Sequence, residues 1–189
     1  MKKNKAIFVS IVLIFAFFLT SCSNAVSYSV EKEHEEKIKV IYNMIEGLIE
    51  NDSEKYLGSI EPKYIENVTK VVDTLGRQYY NADNFDDFIS TFFAQNKETI
   101  NANYGENIKV NLSFNSVKEG TKEGMGLLLD DYSVSYKIPT DDISKVYEVS
   151  VKLQISASNY SGSKNSNFQL FEMTNGKYYL HPDSFLYTF

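Results

Sequence analysis

The chain has 189 residues, 43% of them hydrophobic and 23% charged, which is the composition of an ordinary globular protein and not of a disordered, collagen-like or disulfide-rich one. A formal charge of −6 argues against a nucleic-acid partner, which calls for a basic face. One Cys excludes an internal disulfide and a thiolate metal cluster, and two His leave little material for a metal or general-base centre, so no cofactor is expected.

The N-terminus divides into three parts. Lys2, Lys3 and Lys5 form a positive segment without an acid, and Ala6 to Leu19 is an apolar run broken only by Ser10. A helix that spans a bilayer core needs ~20 apolar residues, so this run is short for a permanent span and fits a secretory signal. Leu19, Thr20 and Ser21 then lead into Cys22, the single cysteine.

Leu19-Thr20-Ser21-Cys22 resembles the lipobox of bacterial lipoproteins. The resemblance implies cleavage before Cys22 and a covalent diacylglycerol on its sulfur, with membrane lipid as the partner. Two acyl chains matter because burial is worth ~0.8 kcal/mol per CH2 and one chain anchors only marginally. The expected organisation is a signal peptide over 1–21, the lipidated Cys and a short polar tether over 22–30, and one domain over 31–189. Loss of the three signal lysines lowers the formal charge from −6 to −9. Lysine far outnumbers arginine (Arg77 alone), the bias of an AT-rich genome, and this suits a Gram-positive bacterium. The expected location is therefore the outer face of the cytoplasmic membrane.

The first half of the domain has helical period. Ile38, Ile41, Tyr42, Ile45, Leu48 and Ile49 share one face of a helix predicted over 31–50. Asn51-Asp52-Ser53 ends it and caps a short helix through Ile60. Glu61-Pro62 opens a third, with Tyr64, Ile65, Val68, Val71, Val72 and Leu75 as its buried face and Gly76 as its left-handed stop. Asp83 or Asn84 caps a fourth, carrying Phe85, Phe88, Ile89, Phe92 and Phe93 and stopped by Gly105.

The second half has the period of strands. Ile108, Val110, Leu112 and Phe114 alternate with polar residues, and so do Val149, Val151, Leu153, Ile155 and Ala157. One apolar and one wet face predict an antiparallel sheet covered on one side. Asn175-Gly176, between two apolar runs, predicts a two-residue hairpin. Gly126 to Ile138 fits either period: Tyr132, Val134, Tyr136 and Ile138 alternate, while Leu128, Tyr132 and Tyr136 share a helix face.

Helices followed by strands give an α+β domain with the helices on one face of a curved sheet. The turn Ile49-Glu50-Asn51-Asp52-Ser53-Glu54-Lys55-Tyr56-Leu57 is similar to the opening of small NTF2-like lipoproteins of Firmicutes. So are Tyr104-Gly105-Glu106-Asn107-Ile108-Lys109-Val110 and Thr174-Asn175-Gly176-Lys177-Tyr178-Tyr179-Leu180, with Tyr178 where that group usually has Trp. The resemblance implies a cone-shaped fold and a helix over 126–138. Such cones host enzymes, binding proteins and scaffolds alike, so the fold carries little function.

The chemistry-bearing residues are few. His34 lies in a charged stretch and is expected to be solvated, and His181 is expected at the surface after the last strand. Asp86-Asp87, Asp130-Asp131 and Asp141-Asp142 sit in a first helical turn or beside loops, without a convergent partner. With 14 Tyr and no Trp, Tyr42, Tyr79, Tyr80 and Tyr104 are candidates to line a pocket, together with Tyr132 and Tyr136. The resulting expectation is a non-catalytic surface lipoprotein that binds an unidentified protein or small molecule. Its alternatives are a small-molecule carrier and a cone-fold isomerase or hydrolase using a Tyr/Asp-lined pocket.

Overall fold

A computed structural model describes residues 24–120 and 140–181. The signal peptide, Cys22, the ambiguous segment 126–138, Asp130-Asp131, Tyr132 and Tyr136 lie outside the described residues. Among the described residues, no helix is long and apolar enough to cross a membrane.

The architecture is α+β: helices packed against a strongly curled, mixed, five-stranded sheet. Strand β1 (Ala25–Ser29) leads through a 3-10 turn into helix α1 (Glu35–Glu50), and α2 (Ser53–Leu57), α3 (Pro62–Tyr79) and α4 (Phe85–Tyr104) follow. Strands β2 (Lys109–Gly120), β3 (Ile143–Ala157), β4 (Tyr160–Met173) and β5 (Tyr178–Leu180) complete the sheet, whose spatial order is the sequence order. Helix α1 touches both β1 and β5, the two edges of the sheet. Strands spaced ~4.8 Å apart put the edges of a flat five-stranded sheet ~19 Å apart, beyond one helix's ~10 Å width, so the contact requires the curl.

Helix α1 buries Ile38, Ile41, Ile45, Leu48 and Ile49 against the sheet, as its period predicts, and Met44 with them, while Tyr42 is only partly buried. The inner face of β3 supplies Val149, Val151, Leu153 and Ile155, each at most 2% exposed. Asn51 takes the left-handed conformation (φ 60°) that stops α1, and the Asp52 side chain accepts from Lys55 N to start α2 at 2.9 Å. Glu61 does the same for α3, accepting from Tyr64 N at 2.8 Å ahead of Pro62. Asn84 caps α4 by accepting from Asp87 N at 2.9 Å, and Gly105 (φ 84°) ends it.

Several expectations are corrected. Residues 25–29, read as tether, form β1, which pairs in parallel with β2 from Ala25↔Lys109 to Ser29↔Ser113. Ser27 and Ser29 point to the wet face, which is why the segment lacks an apolar run. The sheet is accordingly mixed, not purely antiparallel. Gly76 does not stop α3. It is buried inside the helix, where a Cβ would lie 2.6 Å from the Ala82 carbonyl oxygen, so the glycine admits a close return of the chain. Leu75, expected inside, is 40% exposed.

Asn175-Gly176 is not a two-residue turn. Gly176 N donates to Met173 O and Met173 N to Lys177 O, both at 2.8 Å, with Gly176 at φ 78°. This is a three-residue loop with glycine in its left-handed position. A bulge between Phe114 and Ser116 moves the apolar phase of β2 from even to odd residues, keeping Val117 beside Phe114 against the core.

Candidate functional site

The corner where α1 turns into α2 stands beside α4, and a groove runs between them. Its upper part, about 580 Å3, has an apolar floor of Leu57, Phe85, Ile89 and Phe93 and a rim of Asn51, Ser53, Asp86, Ser90 and Lys97. Its lower part, about 310 Å3, is floored by Leu48, Ile49, Ile100 and Ile108 and rimmed by Asn24, Glu50, Asn51, Asn101 and Lys97. Asn51 and Lys97 line both parts, so the two adjoin there.

The local sequence explains this lining. On α4, Phe85, Ile89, Phe93 and Ile100 follow helical spacing toward the core, and Ser90, Ala94 and Lys97 fall one step around at the groove's edge. Small residues at 90 and 94 leave the floor open. Among the described residues, Lys97 has no ion pair and Asp86 none either, so the groove presents an ammonium and a carboxylate to whatever enters. They are eleven positions apart on one helix, ~16 Å at 1.5 Å per residue.

Asn24 closes the lower end. Its Nδ2 donates to Ile49 O at 3.2 Å, and its Oδ1 accepts from Ile108 N at 2.9 Å. One side chain thus joins the start of β1, the end of α1 and the residue before β2.

The four tyrosines predicted to line a pocket do not meet. Tyr42, on α1, donates to Glu46 and lies 5.0 Å, ring to ring, from Tyr28 of β1. Burial, then the bond to Glu46, pushes its phenol up to about 12. Tyr79 and Tyr80, at the end of α3, are 66% and 41% exposed, and Tyr80 packs edge-on against Phe88 at 5.4 Å. Tyr104 ends α4 and packs edge-on against Tyr160 at 5.0 Å. None of the four lines the groove. They stand apart, Tyr42 midway along α1, Tyr79 and Tyr80 at the end of α3 and Tyr104 at the end of α4, because each position was set by its own helix's packing.

A different cluster was not legible in the sequence. Lys37 Nζ lies over the rings of Tyr147 and Tyr178, 4.6 and 4.9 Å from their centroids, and Tyr147 Oη donates to Glu172 at 2.7 Å. Burial first, and Glu172 second, hold the Tyr147 phenol well above its ordinary value. Three strands and a helix supply these residues, so no local motif announces them. In both tyrosine–glutamate pairs the phenol holds its proton more tightly than an ordinary tyrosine does.

The remaining candidates serve structure. Asp87 accepts from Asp83 N at 2.9 Å at the α4 cap, and Asp142 pairs with Lys63 at 2.5 Å. Among the described residues, no group of three His, Cys, Asp or Glu could hold a metal ion. His34 is only partly solvated: it stacks on Phe114 at 4.5 Å. His181 is fully buried and lies 5.3 Å from the Phe171 ring, and desolvation lowers its imidazole to about 4. The surface position expected for it fails because Leu180 is drawn inward: its N–H donates to Ser59 O at 2.8 Å and it bridges to Ile60.

No known protein family, curated protein or solved structure matches the chain. The groove therefore has to be read from its own chemistry.

Proposed function

We propose that this is a lipid-anchored surface protein whose domain binds a partner or small molecule in the groove between α2 and α4, without catalysing a reaction on it. The observation that carries the binding reading is a pair of adjoining apolar floors with a polar rim in which Lys97 and Asp86 have no ionic partner among the described residues. Such a surface fixes orientation through a few polar groups and gains affinity from apolar area. Ser53 and Ser90 supply hydroxyls at the rim, and neither is hydrogen-bonded to a histidine or carboxylate among the described residues, so no activated nucleophile supports a catalytic reading. Anchoring rests on the lysine-led apolar segment and on Leu19-Thr20-Ser21-Cys22. The curled sheet with helices on its inner side is compatible with the cone of NTF2-like lipoproteins, a membership that rests on the motifs named above.

Two readouts on one preparation test the proposal. Intact mass of the protein extracted from cells in detergent is expected to match a chain beginning at Cys22 plus a diacylglyceryl adduct, and Cys22→Ala is expected to leave the detergent phase. An unmodified mass at Cys22 refutes the anchor. A photo-crosslinking residue at Ser90 is expected to give a discrete adduct in cells, whereas one at Asn167, on the wet face of β4, is not. Absence of any Ser90 adduct refutes the groove as a binding site.

A further inference from the structure

We propose that one end of the domain rests on the lipid headgroups in a fixed orientation, with the β3–β4 hairpin tip and the α4–β2 connection facing the bilayer. The inference rests on lipid attachment at Cys22 and goes beyond it, because a lipid alone does not dictate which surface faces the membrane.

The leash is short. Asn24 is fixed by its two side-chain hydrogen bonds, and Ala25 N donates to Ile108 O at 3.0 Å. Each extended residue reaches at most ~3.6 Å, so Asn24 lies within ~7 Å of Cys22 along the chain. A domain of this length has a radius of gyration of roughly 15 Å. It cannot tumble on a 7 Å leash without striking the bilayer. The surface around Asn24 must face the lipid.

That surface is suited to the position. Glu106 N donates to Ser158 Oγ, Ser158 N to Glu106 O and Asn159 N to Tyr104 O, at 2.8, 2.9 and 3.0 Å, so the hairpin tip and the α4–β2 connection form one rigid end. Its exposed residues are chiefly amides and hydroxyls: Asn101, Asn103, Asn107, Ser158 and Asn159. Glu106 and Lys109 are its charges and cancel, as do Glu50 and Lys97 beside Asn24. Tyr160, 37% exposed, packs edge-on against Tyr104 and lays its hydroxyl back over Gly162, which adds to the rigidity of this end.

The opposite end has the reverse character. Helix α1 begins there, 16 residues and ~24 Å from its own end near Asn24. Glu31, Glu33, Glu35 and Glu36 are all exposed around that start, against one exposed lysine, Lys32, among them. An anionic membrane surface repels such a cluster, so covalent geometry and electrostatics select the same orientation.

The test uses the full, lipidated chain in vesicles of phosphatidylglycerol and phosphatidylethanolamine. Lipidation consumes the single cysteine, so Asn159→Cys or Glu36→Cys adds one reactive thiol for a fluorophore, with Asn103→Cys as a second probe of the lower end. With a spin-labelled headgroup as quencher, labels at 159 and 103 are expected to lose most of their emission while the label at 36 keeps its own. A flexible Gly-Ser insert of about ten residues between Ser23 and Asn24 is expected to erase the difference. Equal quenching at 36, 103 and 159 in the uninserted chain overturns the proposal, and a difference that the insert leaves undiminished overturns the short leash as its cause. A chain whose mass shows no lipid on Cys22 fails the anchoring reading instead, before any label is compared.

Discussion

His181 makes the stability of the domain depend on pH in a calculable way. Its ring is fully buried, and its protonation midpoint falls from 6.5 to about 4 on folding because the charged form loses its water. The unfolded chain therefore binds a proton that the folded chain refuses between these two values, and stability falls as pH falls. Above the unfolded value nothing changes; below the folded value the whole contribution is gone. The full span is about 3 kcal/mol at ~1.4 kcal/mol per unit. Between about pH 7 and about pH 5, where few carboxylates titrate, the integrated loss is ~2 kcal/mol. Urea denaturation of the soluble domain at the two pH values measures it, with His181→Gln as the reference. The expected result is a loss in the natural sequence larger by ~2 kcal/mol than in the variant. Equal losses would refute the reasoning. Should the variant not fold, an NMR titration of the imidazole supplies the same information: a midpoint near 4 supports it and one at or above 6.5 refutes it.

Gly47→Ala sets helix propensity against packing. Alanine favours α1 by about 1 kcal/mol, but its Cβ would stand 2.7 Å from Tyr56 N and 2.9 Å from Asp52 O, both backbone atoms that cannot swing aside. The expected outcome is a net loss of about 1–2 kcal/mol in chemical denaturation, and an increase in stability would show that α2 shifts freely. Asn96, 2% exposed on α4, has neither amide atom hydrogen-bonded among the described residues. Asn96→Leu continues the stripe of Phe93 and Ile100 and is expected to raise stability by about 1 kcal/mol or more in thermal melts. A drop would mean that the amide is already satisfied in the folded protein. Gly105→Ala, at φ 84° with Ser158 Oγ 2.2 Å from the added Cβ, is expected to destabilise the domain and loosen the hairpin tip. Unchanged hydrogen-exchange protection at Ser158 and Asn159 would contradict the joint drawn between them and the α4–β2 connection.

The sequence was most legible where burial is one-sided and periodic. Ile38 to Ile49 and Val149 to Ile155 declare their inner faces because water takes the other side. Legibility failed where tertiary contacts set the outcome. Strand β1 carries only Val26 and Tyr28 as partly buried residues, too few to stand out from a polar tether, and its partner is far along the chain. Gly76 looks like a helix stop, and only the approach of Ala82 reveals why a side chain is excluded. The groove was missed because its residues belong to three helices, the chain around Asn24 and the start of the second half. No single period contains them. The tyrosines drew attention as a composition, yet composition says nothing of where side chains converge.

The parallel pairing of β1 with β2 also imposes an order in time. Ser27 and Asn111 are 84 positions apart, whereas β3 and β4 close across the two residues Ser158 and Asn159. Loop-closure entropy makes the longer closure costlier by ~3 kcal/mol, so the hairpin forms early and β1 locks late. The strand nearest Cys22 is thus the first made and the last to settle. Five residue pairs then hold it. While it is unpaired, the six residues from Asn24 to Ser29 lengthen the leash by ~20 Å. On the anchoring proposed at Cys22, late docking of β1 would draw the folded remainder of the domain toward the membrane.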